Sequence, residues 1–212
     1  MSTKNKILDA AEHLFAVNGF NGTSLREITS QAEVNLAAVN YHFGSKKELI
    51  KAVMSRYMNE LSPRLEGALK EICDNDKKPT LIDVFSAFVE PLLWLNEFKE
   101  NGTSNFLQLL GRGYTDSQGF LRWFLTTQYP GVVSNFVAAI YKAYPELSAE
   151  DVFWRLHFTM GTIIFTMASS GALIDIAKSD FDKDIDISGV IQQVIPYIAA
   201  GVAAPIIPLK IK

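Results

Sequence analysis

Between Thr23 and Glu48 the chain starts new helices faster than long ones can be built. Ser24-Leu25-Arg26-Glu27 is a capping box, in which the serine hydroxyl and the glutamate carboxylate each satisfy a free N–H at a helix start. Asn35 is suited to cap a second helix, and Ser45-Lys46-Lys47-Glu48 repeats the box for a third. A turn at Glu33-Val34 and a stop at Phe43-Gly44 close the intervals, which predicts two short helices over 24–32 and 35–43. Helices of this length are unstable alone and need a neighbour's apolar face. Ile7, Ala10, Ala11 and Leu14 fall at i, i+3, i+4 and i+7 and predict such a face on a helix over 3–18, with Gly19 as its stop. Leu49, Ile50, Val53, Met54 and Tyr57 supply a second face on a long helix running toward Pro63 and beyond. Two short helices joined by a tight turn and braced on both sides have the dimensions of a helix-turn-helix.

Past residue 50 the punctuation thins and the helices lengthen, which predicts two domains, 1–50 and 51–212. Helices are expected over 80–98, 103–113, 117–143, 148–176 and 187–203, with Pro91 and Pro130 kinking or breaking two of them. No segment alternates as strands do, so the fold class is all-α: an N-terminal three-helix helix-turn-helix domain followed by a helical ligand-binding and dimerisation domain. A hydrophobic fraction of 48% over 212 residues is enough for a substantial core. The single cysteine, Cys73, rules out an intrachain disulfide. No unbroken apolar stretch follows Met1, which predicts a cytoplasmic chain. The uncharged stretches Phe158 to Ile174 and Val190 to Leu209 are broken by hydroxyls, glutamines and prolines, and read as core or interface helices, not spans.

Net charge, −3, offers no general argument for a nucleic-acid partner, so the case rests on order and position. The runs Thr23-Ser24-Leu25-Arg26-Glu27-Ile28, Val34-Asn35-Leu36-Ala37-Ala38-Val39-Asn40-Tyr41-His42-Phe43 and Ser45-Lys46-Lys47-Glu48-Leu49 resemble the DNA-binding domain of the TetR family of transcriptional regulators. Glu33 and Ala37 stand where that pattern commonly has glycine, and Asn40 where it often has tyrosine. Glu33 therefore implies either an unusual turn or a less left-handed backbone. The Asn35-to-Lys46 form recurs in several branches, among them the PsrA-like regulators that answer to fatty acids or their acyl derivatives. The segment Trp154-Arg155-Leu156-His157-Phe158 is also similar to that branch.

The resemblance implies a homodimeric repressor that leaves a palindromic operator in double-stranded DNA when a small apolar effector binds, here a long-chain fatty acid or acyl-CoA. In such a unit the second helix enters the major groove. Asn35, Leu36, Ala37, Ala38 and Asn40 are then expected at base edges. Tyr41, His42, Lys46 and Lys47 are expected at phosphates, with Thr23, Ser24 and Arg26 at the flanking backbone. Among the many rings of the second domain most belong to the core. Phe88, Leu92, Phe106, Leu110, Trp123 and Phe158 are those expected to line an elongated apolar cavity, with Arg112 and Arg155 facing a ligand's acidic end. Small residues at Gly161, Ala168, Ser169, Gly171 and Ala172, and again at Ala199 to Ala204, predict close helix packing across a two-fold axis.

The alternatives are a small-molecule-binding helical enzyme and a membrane-associated helical protein. Only His13, His42 and His157 are present, and no phosphate loop or Ser-His-Asp pattern accompanies them. The run from Asp180 to Asp186 has Ile185 where a calcium loop needs glycine. No metal, cofactor or membrane partner is expected.

Overall fold

The computed structural model describes residues 1–116 and 118–205. Ser117, the expected start of one helix, and the last residues of the second uncharged stretch, Pro208 and Leu209 included, lie outside the described residues. The described residues form twelve helices and no strand. In order they are α1 (Thr3–Gly22), α2 (Leu25–Gln31), α3 (Leu36–Phe43), α4 (Lys46–Asp74), α5 (Leu81–Ser86) and α6 (Val89–Phe98). They continue with α7 (Gly102–Asp116), α8 (Gln118–Gln128), α9 (Pro130–Ala143), α10 (Ala149–Ala168), α11 (Ser170–Phe181) and α12 (Ile187–Val202). Three of the long helices expected from periodicity are each two. Pro130 divides α8 from α9 by starting the second, where its missing N–H costs nothing. The 80–98 segment breaks at Ala87 and Phe88, ahead of Pro91. The 148–176 segment breaks at Ser169, and α10 and α11 meet at 66°. Among the described residues no single helix is long and apolar enough to cross a membrane; only that bent pair passes by length and composition together.

The chain forms two compact units, one of residues 1–63 and 94–130, the other of 64–93 and 131–212. In the first, α1 packs on α2, α3 and α7, and α7 packs on α8. Its core takes Ile7, Phe15 and Phe20 of α1, Ile28 and Val39 of the short helices, Leu49, Val53 and Tyr57 of α4, and Phe106 and Phe124. In the second, α12 packs on α5, α10 and α11. There the Lys142 ammonium donates to the carbonyls of Ile72, Cys73 and Asn75, closing the C-terminal end of α4.

A charged cluster sits inside the first unit. Glu12, whose side chain is only 4% exposed, accepts from Tyr57 Oη at 2.6 Å, from Lys99 Nζ at 2.7 Å and from Arg56 at 3.4 Å. Asp9, one turn earlier, accepts from Arg56 at 2.7 Å and from Lys99 at 3.4 Å. Burial, then the hydrogen bond to Glu12, raises the Tyr57 phenol far above its ordinary range, so it stays a donor. Lys99 is held at a tight corner: Gly102 N–H donates to Lys99 O at 2.8 Å, and Asn101 adopts a left-handed φ of 56°. Gly102 packs directly on the Leu95 carbonyl, where a Cβ would overlap it.

Two turns complete the N-terminal architecture. Gly19 leaves the helical region at φ 79° and ψ 170°, and bends α1 there. The Thr23 hydroxyl staples the bend by bonding the carbonyls of Gly19 at 2.8 Å and Leu14 at 3.1 Å. The turn between α2 and α3 is a Schellman motif, with Val34 N–H on Thr29 O at 3.0 Å and Glu33 N–H on Ser30 O at 3.3 Å. Glu33 occupies its left-handed seat at φ 54°, so the turn keeps the glycine geometry without the glycine.

Glu12→Ala is expected to lower the unfolding free energy by about 2 to 3 kcal/mol, toward the low end for a severed buried pair because water reaches Arg56 and Lys99. Glu12→Gln, which still accepts from Tyr57, is expected to lose less; urea denaturation measures both. Glu33→Gly is expected to gain about 1 kcal/mol in the same assay by relieving the positive φ.

Candidate nucleic-acid interface

The helix-turn-helix is built from its caps. Ser24 Oγ accepts from Glu27 N–H at 3.2 Å, and Glu27 Oε2 accepts from Ser24 N–H at 2.6 Å. The Ser24 amide first, and then its hydroxyl, hold the Glu27 carboxyl below its ordinary range. A depressed folded value means the cap contributes above the ordinary glutamate range and is lost as pH falls through the folded value. Asn35 Oδ1 accepts from Ala38 N–H at 2.9 Å and pins the start of α3. The second box is only half formed: Glu48 N–H donates to Ser45 Oγ at 3.2 Å, but the Ser45 amide is taken by Phe43 O, and the Glu48 carboxylate pairs with Lys51 at 2.6 Å.

On α3, Val39 and Phe43 turn inward, which leaves the opposite face free. Asn35, Leu36, Ala37, Asn40, Tyr41 and His42 are exposed on it, and Ala38 is half-buried. Tyr41 is 86% exposed and meets His42 edge-on, ring centroids 5.1 Å apart. Ser24 and Arg26 are exposed at the front of α2; Lys47 is exposed and Lys46 half-buried at the start of α4. Eleven of the twelve expected contact residues thus lie at least partly at the surface of one unit. Thr23 does not. It is 1% exposed with its hydroxyl spent on two carbonyls, so the expected backbone contact is replaced by the staple of the α1 bend. A concavity of about 730 Å³ runs beside the turn, lined by Thr29, Ser30, Glu33, Asn35, Ala38 and Thr3. Nothing in the sequence pointed to Thr3, which reaches this place through the packing of α1.

The expected ligand set is divided between the two units. Phe106, Leu110, Arg112 and Trp123 belong to the first unit, and Phe88, Leu92, Arg155 and Phe158 to the second. Phe106 is core, with its ring 5.7 Å from that of Tyr57. Arg112 donates from Nη2 to Val17 O at 2.8 Å and from Nε to Ala16 O at 3.4 Å, serving the last carbonyls before the α1 bend. Arg155 likewise donates to the Val202 carbonyl at the end of α12. Both guanidiniums thus serve as helix C-terminal cations. Phe158 faces outward at 67% exposure, not into a cavity. Leu110 and Leu92 are half-buried, and Phe88 packs edge-on against Phe136 at 5.1 Å. Trp123 carries two ammonium groups over its ring, Lys51 at 4.6 Å and Lys47 at 5.9 Å from the centroid. Nothing in the sequence pointed to Lys51 or to its aromatic partner.

Two family descriptions match the chain: "Bacterial regulatory proteins, tetR family" over residues 7–53, and "Tetracyclin repressor-like, C-terminal domain" over residues 86–201. The probable HTH-type transcriptional regulator YttP of Bacillus subtilis is 37% identical over 84 residues, 40% of this chain and 41% of that protein. The chain thus matches about two fifths of the length of such curated relatives. A proposed TetR-family regulator from Shewanella sp. PV-4 superposes with a TM-score of 0.60 at 17% identity, covering 94% of this chain and 96% of that one. A proposed fatty acid metabolism regulator from Clostridium perfringens superposes with a TM-score of 0.52 at 22% identity, covering 92% and 97%. With the second description alone spanning more than half of its length, this chain belongs to the TetR family, a family of transcriptional regulators and not of enzymes.

Proposed function

We propose that the protein is a homodimeric repressor whose α3 enters the major groove of a palindromic operator and leaves it when a small apolar effector binds. The observation that carries this reading is the outer face of α3. A two-turn helix with Val39 and Phe43 anchored in the core keeps Leu36 and Tyr41 in solvent, although burying them elsewhere would be favourable. Asn35, Leu36, Ala37, Ala38 and Asn40 are assigned to base edges, where small side chains permit close approach and apolar ones read thymine methyls. Tyr41, His42, Lys46, Lys47, Ser24 and Arg26 are assigned to phosphates.

The dimer reading is supported by the ridge along α10. Trp154, Phe158 and Phe165 are 50%, 67% and 72% exposed at spacings that share one helical face, with Gly161 between them. α11 has no buried residue and α12 leaves Tyr197 exposed. Apolar exposure on this scale marks an association surface, and a second copy would set two recognition helices on successive half-sites. The effector is assigned to the long-chain fatty acids or their acyl-CoA thioesters, within the PsrA-like branch. Support comes from the ring cluster of Phe85, Phe88 and Phe136 in the second unit, and from the likeness to the clostridial fatty acid metabolism regulator. Effector binding shifts the spacing of the paired helices, a coupling typically of about 1 to 3 kcal/mol.

Selection of bound sequences from random duplexes is expected to enrich an inverted repeat, and oleate or its CoA thioester to release it. Absence of an enriched repeat would overturn the repressor reading; release by neither lipid would overturn only the effector class. Lys46→Ala is expected to weaken binding to all duplexes and to reduce the salt slope by about 1. Thr23→Val, which removes a buried hydroxyl, is expected to cost about 1 to 2 kcal/mol of stability and to leave that slope unchanged.

A further inference from the structure

The two ammonium groups over Trp123 stand at the edge of a cleft of about 470 Å³, wholly within the first unit. Phe20 from α1 and Ile50 from α4 form its apolar sides. Phe120 and Trp123 from α8, their rings 6.4 Å apart and inclined by 35°, form an aromatic wall. Gly119 adds no side chain at that end, and no described residue lies within 4 Å of where its Cβ would stand. The volume falls within the ordinary range of small-molecule pockets, about 300 to 1,000 Å³.

Charge narrows the occupant. Lys51 is compensated by Glu48 at 2.6 Å, whereas Lys47 has no carboxylate partner among the described residues. A cation over an indole face is attracted to the ring, but the contact leaves most of its charge unneutralised. An apolar cleft with a flat aromatic wall and an uncompensated ammonium at its rim matches a flat ligand with one negative group. We propose that this cleft binds a small aromatic carboxylate, its ring against Phe120 and Trp123 and its carboxylate on Lys47. The site is separate from the ring cluster assigned above to the apolar effector.

Occupancy has a consequence that rests on the DNA reading given above. Lys47 is there a phosphate contact, and an ammonium engaged by a bound carboxylate is no longer free for the duplex. The aromatic acid therefore competes with DNA at its own lysine, without any change in the spacing of the recognition helices.

Calorimetric titration of the DNA-free protein with 2-naphthoate is expected to give saturable binding. The neutral 2-naphthalenemethanol is expected to bind at least about tenfold more weakly. Lys47→Gln and Trp123→Leu are each expected to weaken naphthoate about five- to tenfold, while Lys47→Arg and Trp123→Phe, which keep a cation and a ring, stay within about twofold. Equal affinity for the neutral analogue, or undiminished affinity in both disruptive variants, overturns the assignment. Disruptive variants are scored only where urea unfolding matches the unaltered chain, and the conservative pair supplies the comparison where it does not. In the second arm, saturating naphthoate is expected to lower affinity for the selected operator; unchanged affinity overturns the competition. A chain that binds naphthoate through Lys47 and Trp123 but retains no DNA supports the cleft and sinks the reading of α3. One that selects an operator yet binds naphthoate indifferently to those side chains does the reverse.

Discussion

Two short helices cannot hold a shape in water, and their placement here depends on where α1 lies. That is fixed by one buried carboxylate. Glu12 faces a phenol and two cations drawn from two stretches of chain: Arg56 and Tyr57 from α4, Lys99 from the corner after α6. A buried ion pair is poor evidence for stability, because desolvation offsets most of the attraction. Its value is geometric. Apolar packing tolerates small rotations of a helix about its axis, whereas a carboxylate with three donors tolerates few. With α1 fixed in this way, Ile7, Phe15 and Phe20 present a single surface, and Ile28 and Val39 have one seat to fill.

The same cluster ties α1 to chain well past the change of punctuation near residue 50. Punctuation shifts near residue 50, but Lys99 and α7 return to α1, and Arg112 closes the end of that helix. The compact unit that carries α3 therefore includes residues 94–130. A composition change marks where helices lengthen; it carries no record of which later helix packs on which earlier one.

Local signals were legible because they act over three or four residues. The Ser24 box, the Asn35 cap and the stop at Gly44 stand where the residue types place them, and Gly19 bends α1 where a stop was expected. The exposed face of α3 follows from the periodicity of Val39 and Phe43 alone. What local spacing does not reveal is which distant groups a side chain meets. Thr23 read as a surface hydroxyl because its acceptors are carbonyls exposed only by the bend at Gly19. Arg112 and Arg155 read as ligand anchors because an arginine among apolar neighbours looks unpaired, when helix ends elsewhere supply the acceptors. Glu48 failed for a local reason: Ser45 had already given its amide to Phe43, and the carboxylate turned to Lys51.

The corner at Gly102 gives one side-chain position unusual reach. A methyl group there would strike the Leu95 carbonyl, and the hydrogen bond to Lys99 would have to open to make room. The ammonium of Lys99 would swing with its backbone, and Glu12 would lose a counter-charge while still sealed from water. A hydrogen atom in place of a side chain, tens of residues from α3, thus stands guard over the angle at which that helix meets the solvent.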